Sequence, residues 1–201
     1  MNRRELLRLL ACSPLLASTA ATAWAKDTTY DTFRSRYGGL TSISLRYSGD
    51  LSKGTLKARK GGWYHVDLGD KVFISNSKTT WHVQRSTKTV IVDTYKSSSD
   101  QASIDQIFFV VFNVYAHKGT KDLGKGRKQL TLAAPSKSAV VAGIDQLDIV
   151  VSGKMMVESI VVTEAGSKTT WKISDVILDP ALPDSVFTYA APKDWQVVDL
   201  R

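Results

Sequence analysis

The residue types that commonly carry chemistry are few in this sequence and poorly spaced for it. Histidine occurs three times, as His65, His82 and His117, and cysteine once, as Cys12. There is no His-x-x-x-His or Cys-x-x-Cys pair, so the donor spacing of a zinc site is missing, and a lone cysteine excludes an internal disulfide. His65 alternates with Trp63 and Asp67, and His82 follows Trp81 in an amphipathic run. Neither stands in a Gly-x-Ser-x-Gly or comparable setting that would give it a nucleophile to activate. Gly124-Lys125-Gly126 lacks both the spacing and the following helix of a phosphate-binding loop. The expectation is a protein that is not an enzyme, with no catalytic residue, no metal and no cofactor, whose work is done by apolar surface.

The elements around that surface have to build it. Hydrophobic residues make up 43% of the 201 and charged residues 23%, which is too apolar for a disordered chain and enough for a packed core. Tyr30, Phe33, Tyr37 and Leu40 recur at spacings of three and four, which predicts an opening helix ended by Gly38-Gly39. From Thr41 the period becomes two, and strands are expected at 55–59, 63–68, 71–75, 80–85 and 89–95, linked by a few residues each as in an antiparallel meander. Between Asp100 and Ala116 a helical period returns. Ile104, Ile107, Phe108, Val111 and Phe112 mark one face, and Phe109, Val110 and Val114 widen it until the second half is apolar almost all round. Such a helix is either a deeply buried core element or a lid facing a ligand. The stretch from His117 to Lys128 reads as a basic, Gly-rich surface loop. Strands resume at 129–133, 144–152, 155–164, 169–177, 186–190 and 196–200. The expected fold is mainly β (α+β): a single unclosed antiparallel β-barrel of about eleven strands covered by a lid of helices, in one domain spanning residues 26–201.

The strand faces supply candidate cavity walls. Leu45 and Tyr47 share one face, as do Tyr64, Val66 and Leu68; so do Val72 and Ile74, Trp81 and Val83, and Val90 and Val92. A closed small barrel fills its interior with such side chains, whereas a half-open one capped by an apolar helix leaves room for acyl chains. At about 0.8 kcal/mol per buried methylene, one long chain supplies on the order of 10 kcal/mol before ordering costs. The lid over this cavity would be Ile104, Ile107, Phe108, Val111 and Phe112.

The amino terminus predicts the compartment. Arg3, Arg4 and Arg8 precede an apolar stretch from Leu9 to Ala23, and Ala23-Trp24-Ala25 places small residues around a cleavable bond, so residues 1–25 read as a cleaved signal peptide. The run is broken by Ser13, Pro14, Ser18, Thr19 and Thr22, too often for a spanning helix. Arg3-Arg4-Glu5-Leu6-Leu7-Arg8 also resembles a twin-arginine motif, so either that route or Sec export is open. Leu9-Leu10-Ala11-Cys12 resembles a lipobox but lies too early in the apolar stretch for lipidation. The whole chain has 27 basic and 19 acidic residues; cleavage removes three Arg and one Glu, leaving 24 against 18, a net +6, and no cysteine. A cysteine-free domain suits an oxidising periplasm; its dispersed lysines, with no run of four, read as a plain solubility charge, with anionic head groups rather than nucleic acid as the alternative partner.

Two stretches carry a family resemblance. Arg59-Lys60-Gly61-Gly62-Trp63-Tyr64-His65-Val66, followed by Val72-Phe73-Ile74-Ser75-Asn76-Ser77-Lys78-Thr79-Thr80-Trp81, resembles the LolA family of periplasmic outer-membrane lipoprotein carriers. Trp171 to Ile177, Pro183 to Phe187 and Pro192-Lys193-Asp194-Trp195-Gln196-Val197-Val198-Asp199 resemble the closing strands of that family. The resemblance implies a monomeric carrier that shields lipoprotein acyl chains. Its partners would be acylated lipoproteins, an inner-membrane lipoprotein-releasing ABC complex and an outer-membrane lipoprotein receptor. A lipid-sensing envelope-stress module, or an enzyme acting on a lipophilic substrate, would use the same scaffold. Lys60 stands where the family has Pro, and Asn76-Ser77 where it has Asp-Gly. Tyr64, or with a one-residue shift His65, takes the place of the arginine associated with holding the lid closed.

Overall fold

The computed structural model describes residues 27–49, 52–96 and 104–201. The expected export segment with Cys12 lies outside them, and so does the side chain of Ile104. The chain opens with α1 (Thr28–Tyr37), started by Asp27, whose carboxylate accepts the backbone N–H of Thr29 and Tyr30 at 2.9 and 3.1 Å. Gly38 ends it by donating to the Arg34 carbonyl at 2.8 Å. Phe33 and Tyr37 point from α1 into the core and are fully buried.

Six strands then follow as a meander: β1 (Ser42–Gly49), β2 (Lys53–Arg59), β3 (Trp63–Asp67), β4 (Lys71–Asn76), β5 (Thr79–Gln84) and β6 (Thr89–Thr94). A helical segment comes next, and after it a second meander of β7 (Ala116–Gly124), β8 (Arg127–Ala133), β9 (Ile144–Val151), β10 (Val157–Glu164) and β11 (Ser167–Leu178). β11 pairs with β1, which fuses both meanders into one sheet, and β12 (Gln196–Asp199) closes the order as β12-β6-β5-β4-β3-β2-β1-β11-β10-β9-β8-β7. The sheet is unclosed, with edges at β12 and β7.

Three expectations need correcting. The sheet has twelve strands and is mixed, because β12 lies parallel to β6. The stretch from His117 to Lys128 is no loop: it forms most of β7 and the turn into β8, with Lys125 and its flanking glycines at positive φ. Glycine spacing that reads as a loop is accommodated here by two irregularities in the β7–β8 ladder. Residues 186–190 form no strand; Asp184–Phe187 is a short 3-10 turn in a segment that crosses the sheet.

The core sits between the concave face of the sheet and the helices. Ile43, Leu45, Leu56, Leu130, Leu147 and Ile160 rise from it, all at 0–2% exposure, to meet Phe33 and Tyr37. Two buried tyrosines fasten the helices to the sheet through their hydroxyls. Tyr37 accepts from the Val157 N–H and donates to the Met155 carbonyl, both at 3.1 Å, and Tyr115 accepts from Val141 at 3.0 Å and donates to the Ile144 carbonyl. Where β11 meets β1, the Asp179 carboxylate collects the backbone N–H groups of Thr41 and Ser42 and the Thr41 hydroxyl. The Thr41 backbone bond is the main reason its pKa lies below the ordinary carboxylate value.

A second apolar cluster lies on the opposite, convex face. Val72, Ile74, Val83, Val90 and Val92 are buried there beneath Tyr189, Ala191 and Trp195 of the segment that leads from β11 to β12. The segment is fixed by Arg59, whose guanidinium lies against both Trp63 and Phe187, 4.1 and 4.8 Å from their ring centroids, and pairs with Asp184 at 2.7 Å. His65 adds a bond from Nδ1 to the Val186 carbonyl at 2.8 Å, which accounts for this histidine structurally.

Candidate lipid-binding face

The strand register decides which of the expected wall residues share a face. Leu45 pairs with Leu56, Leu56 with Val66, Val66 with Phe73, Phe73 with His82, His82 with Ile91 and Ile91 with Val198. These seven residues form one row across the concave face from β1 to the open edge at β12. Burial is uneven along it: Leu45 and Leu56 are sealed under the helices, Val66, Phe73 and, at the edge, Val198 are half-buried, and His82 and Ile91 are exposed, Ile91 at 37%. Strands stand about 4.8 Å apart, so the part of the row from β3 to β12 is about 19 Å long, the reach of a long acyl chain.

The eleven expected wall residues therefore do not form one wall. Leu45, Tyr47, Tyr64, Val66 and Leu68 lie with the main core under the helices. Val72, Ile74, Trp81, Val83, Val90 and Val92 have the opposite parity, since Ile74 pairs with His65 and Val72 with Asp67, and they pack beneath the crossing segment. Sequence alternation misleads here because it marks one apolar parity on each of β4 to β6 without saying which side of the sheet that parity faces; the other parity is polar apart from Phe73 and Ile91. The more β-branched parity is buried by the carboxy-terminal segment, whereas the parity with Phe73, His82 and Ile91 faces the concave side. The run Val90-Ile91-Val92 carries the signal of two buried faces, without saying which is which.

The helical segment runs from α2 (Ile104–Gln106) through a π-helical turn (Ile107–Val111) to α3 (Phe112–Val114). In the π turn the Phe112 N–H bonds to the Ile107 carbonyl five residues back, a wider turn that is frequent at functional sites. The turn directs Ile107, Phe108, Val111 and Phe112 toward the sheet at 0–1% exposure, while Val110 and Val114 stay open at 38% and 45%. The all-round apolar pattern thus does not mean cover on every side. Phe108 and Phe112 meet at 5.0 Å between centroids, Phe112 meets Phe33 at 5.1 Å, and Tyr37 lies 5.8 Å from Phe112. This aromatic group fills the closed end of the concave face.

Polar groups mark the boundary between the filled and open parts. Burial, then the charge of Asp105 on α2 and the nearby Tyr95, push the Tyr64 hydroxyl up to about 12, with the Ser75 hydroxyl acting against them. Tyr95 lies over Gly62, where a Cβ would come within 2.4 Å of its phenol ring; with φ at +86° that turn position favours glycine twice over. His82 stands edge-on to Phe73 at 5.1 Å, and the packing lowers its pKa by desolvation, with Asp93 opposing. It enters the row as a neutral ring at neutral pH. A Tyr64→Phe variant is expected to lose about 1 kcal/mol of stability near pH 7, measured by urea denaturation. A raised pKa means stability that is complete below the unfolded value near 10 and is lost as pH climbs toward 12. The variant should show a shallower loss over that window, and an identical profile would make Tyr64 a passive wall residue.

No protein-family model matches this sequence, and comparison with curated proteins gives no match either. Among solved structures the chain is similar to an uncharacterized conserved protein from Thermus thermophilus, with a TM-score of 0.54 and 14% identity over 84% of this chain and 98% of that one. That likeness is one of fold. Weaker likenesses reach a DUF1329 family protein from Desulfovibrio piger, with a TM-score of 0.41 and 11% identity over 80% and 96% of the two chains. LprF from Mycobacterium bovis follows, at 0.37 and 9% over 83% and 97%.

Proposed function

We propose that this chain is a non-enzymatic periplasmic carrier. It would take up the acyl chains of lipoproteins on its concave face and convey them from the inner to the outer membrane, between an ATP-driven releasing complex and an outer-membrane receptor. The observation that supports this reading most is the mainly apolar row that begins under the helical segment and continues, less covered from β3 onward, to the open edge of the sheet. A ligand of flexible methylenes needs contact area more than directional groups, and the row offers area with a single imidazole in it.

The helical segment would act as the cavity's own filler. When empty, the carrier keeps Phe108 and Phe112 against the sheet; when loaded, methylenes replace some of those contacts. The exchange costs less than opening an empty cavity, because each apolar surface leaves water only as another returns to it. A carrier benefits from such a near balance, since cargo held by the full burial energy would not be handed on. Native mass spectrometry of the protein purified from periplasm tests the reading: an intact acylated lipoprotein should co-purify with the chain. Protein emerging bare beside abundant lipoprotein, or carrying a chemically converted lipid, would overturn it.

A further inference from the structure

Two methionines, Met155 and Met156, stand side by side at the β9–β10 turn, and the sequence holds only one other, Met1. The turn is closely tied. The Met156 N–H donates to the Ser152 hydroxyl at 3.2 Å, the Met156 carbonyl accepts from the Ser152 N–H at 2.9 Å, and Met155 sits at a φ of +55°. The Tyr37 hydroxyl of α1 brackets Met156 by bonding the Met155 carbonyl on one side and the Val157 N–H on the other. The two methionine side chains then diverge. Met155 packs against the main hydrophobic core. Met156 is part-exposed, and its sulfur accepts a hydrogen bond from the Arg36 guanidinium of α1, Nη2 to Sδ at 3.1 Å. A thioether is a weak acceptor, whereas a sulfoxide is polar and offers an oxygen.

We infer that Met156 is an oxidation site for peroxides and that Arg36 is placed to hold the product. A sulfur lone pair attacks one oxygen of the peroxide; the S–O bond forms as the O–O bond breaks, and the sulfur gives up two electrons. With hydrogen peroxide, the departing hydroxide takes the proton of the transferred oxygen and leaves as water. Sulfur has two lone pairs, so the bond from Arg36 leaves one free for the attack. The sulfoxide oxygen then accepts from the guanidinium in a charge-assisted bond, stronger than the N–H···S contact it replaces. Arg36 lies exposed in the last turn of α1, so its side chain has room to draw back by the length of the added atom. A sulfoxide at Met155 would instead press its oxygen against apolar core. Oxidation commonly disrupts apolar contacts, but at Met156 it tightens the joint between α1 and the β9–β10 turn. The chemistry involves no lipid and is independent of the carrier reading.

The test is graded treatment with hydrogen peroxide, followed by peptide mapping with mass spectrometry and by thermal denaturation. Met156 should be converted several-fold faster than Met155. At the dose that converts Met156, the change in melting temperature should be at least about 2 °C more favourable in wild type than in Arg36→Ala, where the new oxygen has lost its donor. Each oxidised protein is compared with its own reduced form, so the cost of removing Arg36 itself cancels. Met156→Leu keeps the apolar bulk without the sulfur and should melt at the same temperature before and after that dose. Faster conversion of Met155, or a Met156 that resists peroxide, would overturn the proposal. So would a smaller difference between wild type and Arg36→Ala, or a peroxide-induced shift that persists in Met156→Leu.

Discussion

Replacing Phe108 with Ala should cost the empty protein about 3–5 kcal/mol of stability, the range for truncating a large aromatic in a packed core. Phe108 is fully buried and contacts Phe112 and Tyr37 across α1 and the helical segment. The informative measurement is the same loss in the presence of an acylated ligand. If methylenes displace the segment's side chains, the loaded variant should be destabilised much less than the empty one, so ligand raises the melting temperature of the variant more than that of wild type. If the segment is a fixed core element, the loss is the same with and without ligand. The two outcomes differ by several degrees for a domain of this size, well within the reach of a thermal-shift assay.

Ile91→Asp is expected to weaken acyl-chain binding at least tenfold while changing stability by only about 0.5 kcal/mol, as at other open sites. Ile91 lies mid-row, 37% exposed, between His82 and Val198. A carboxylate there stays hydrated in the empty protein but must lose water when methylenes cover it. Val90, one residue earlier, is 1% exposed on the other face beneath Tyr189 and Trp195. Val90→Asp should therefore unfold the β4–β6 region, at a cost of several kcal/mol. The adjacent pair tests the face assignment directly, because binding loss without unfolding at Val90, or unfolding at Ile91, would reverse it.

Much of the architecture is legible from periodicity because one-sided burial writes itself into alternation. Ile43, Leu45 and Tyr47 with polar residues between them define β1, and Phe33 with Tyr37 defines the inward face of α1. What alternation leaves undetermined is which side of the sheet an apolar parity faces. Val72 and Ile74 read as wall residues because nothing local reveals that Trp195, more than a hundred residues later, returns to cover them. Strand β7 is hidden for another reason. Its edge position, glycines and lysines suppress the apolar pattern that marks a strand, as edge strands commonly do. Tyr64 could be picked out before the fold was known, but its neighbours could not, since Ser75 and Asp105 join it only through register and the helical segment.

The pairing of β1 with β11 carries a consequence for how the chain reaches this fold. Within each meander every strand bonds to its neighbour in sequence, so both halves can grow by local hairpin closure. The β1–β11 ladder instead joins Ile43 to Leu178 and Tyr47 to Ile173, and it is the contact with the largest chain-entropy cost among the antiparallel pairs. The two halves should accordingly form first and meet late, with Asp179 clasping Thr41 and Ser42 only once they have joined. Until that step, two long strand edges stand unpaired in one molecule. The interval between them is the period in which this chain is most exposed to mispairing with another copy of itself.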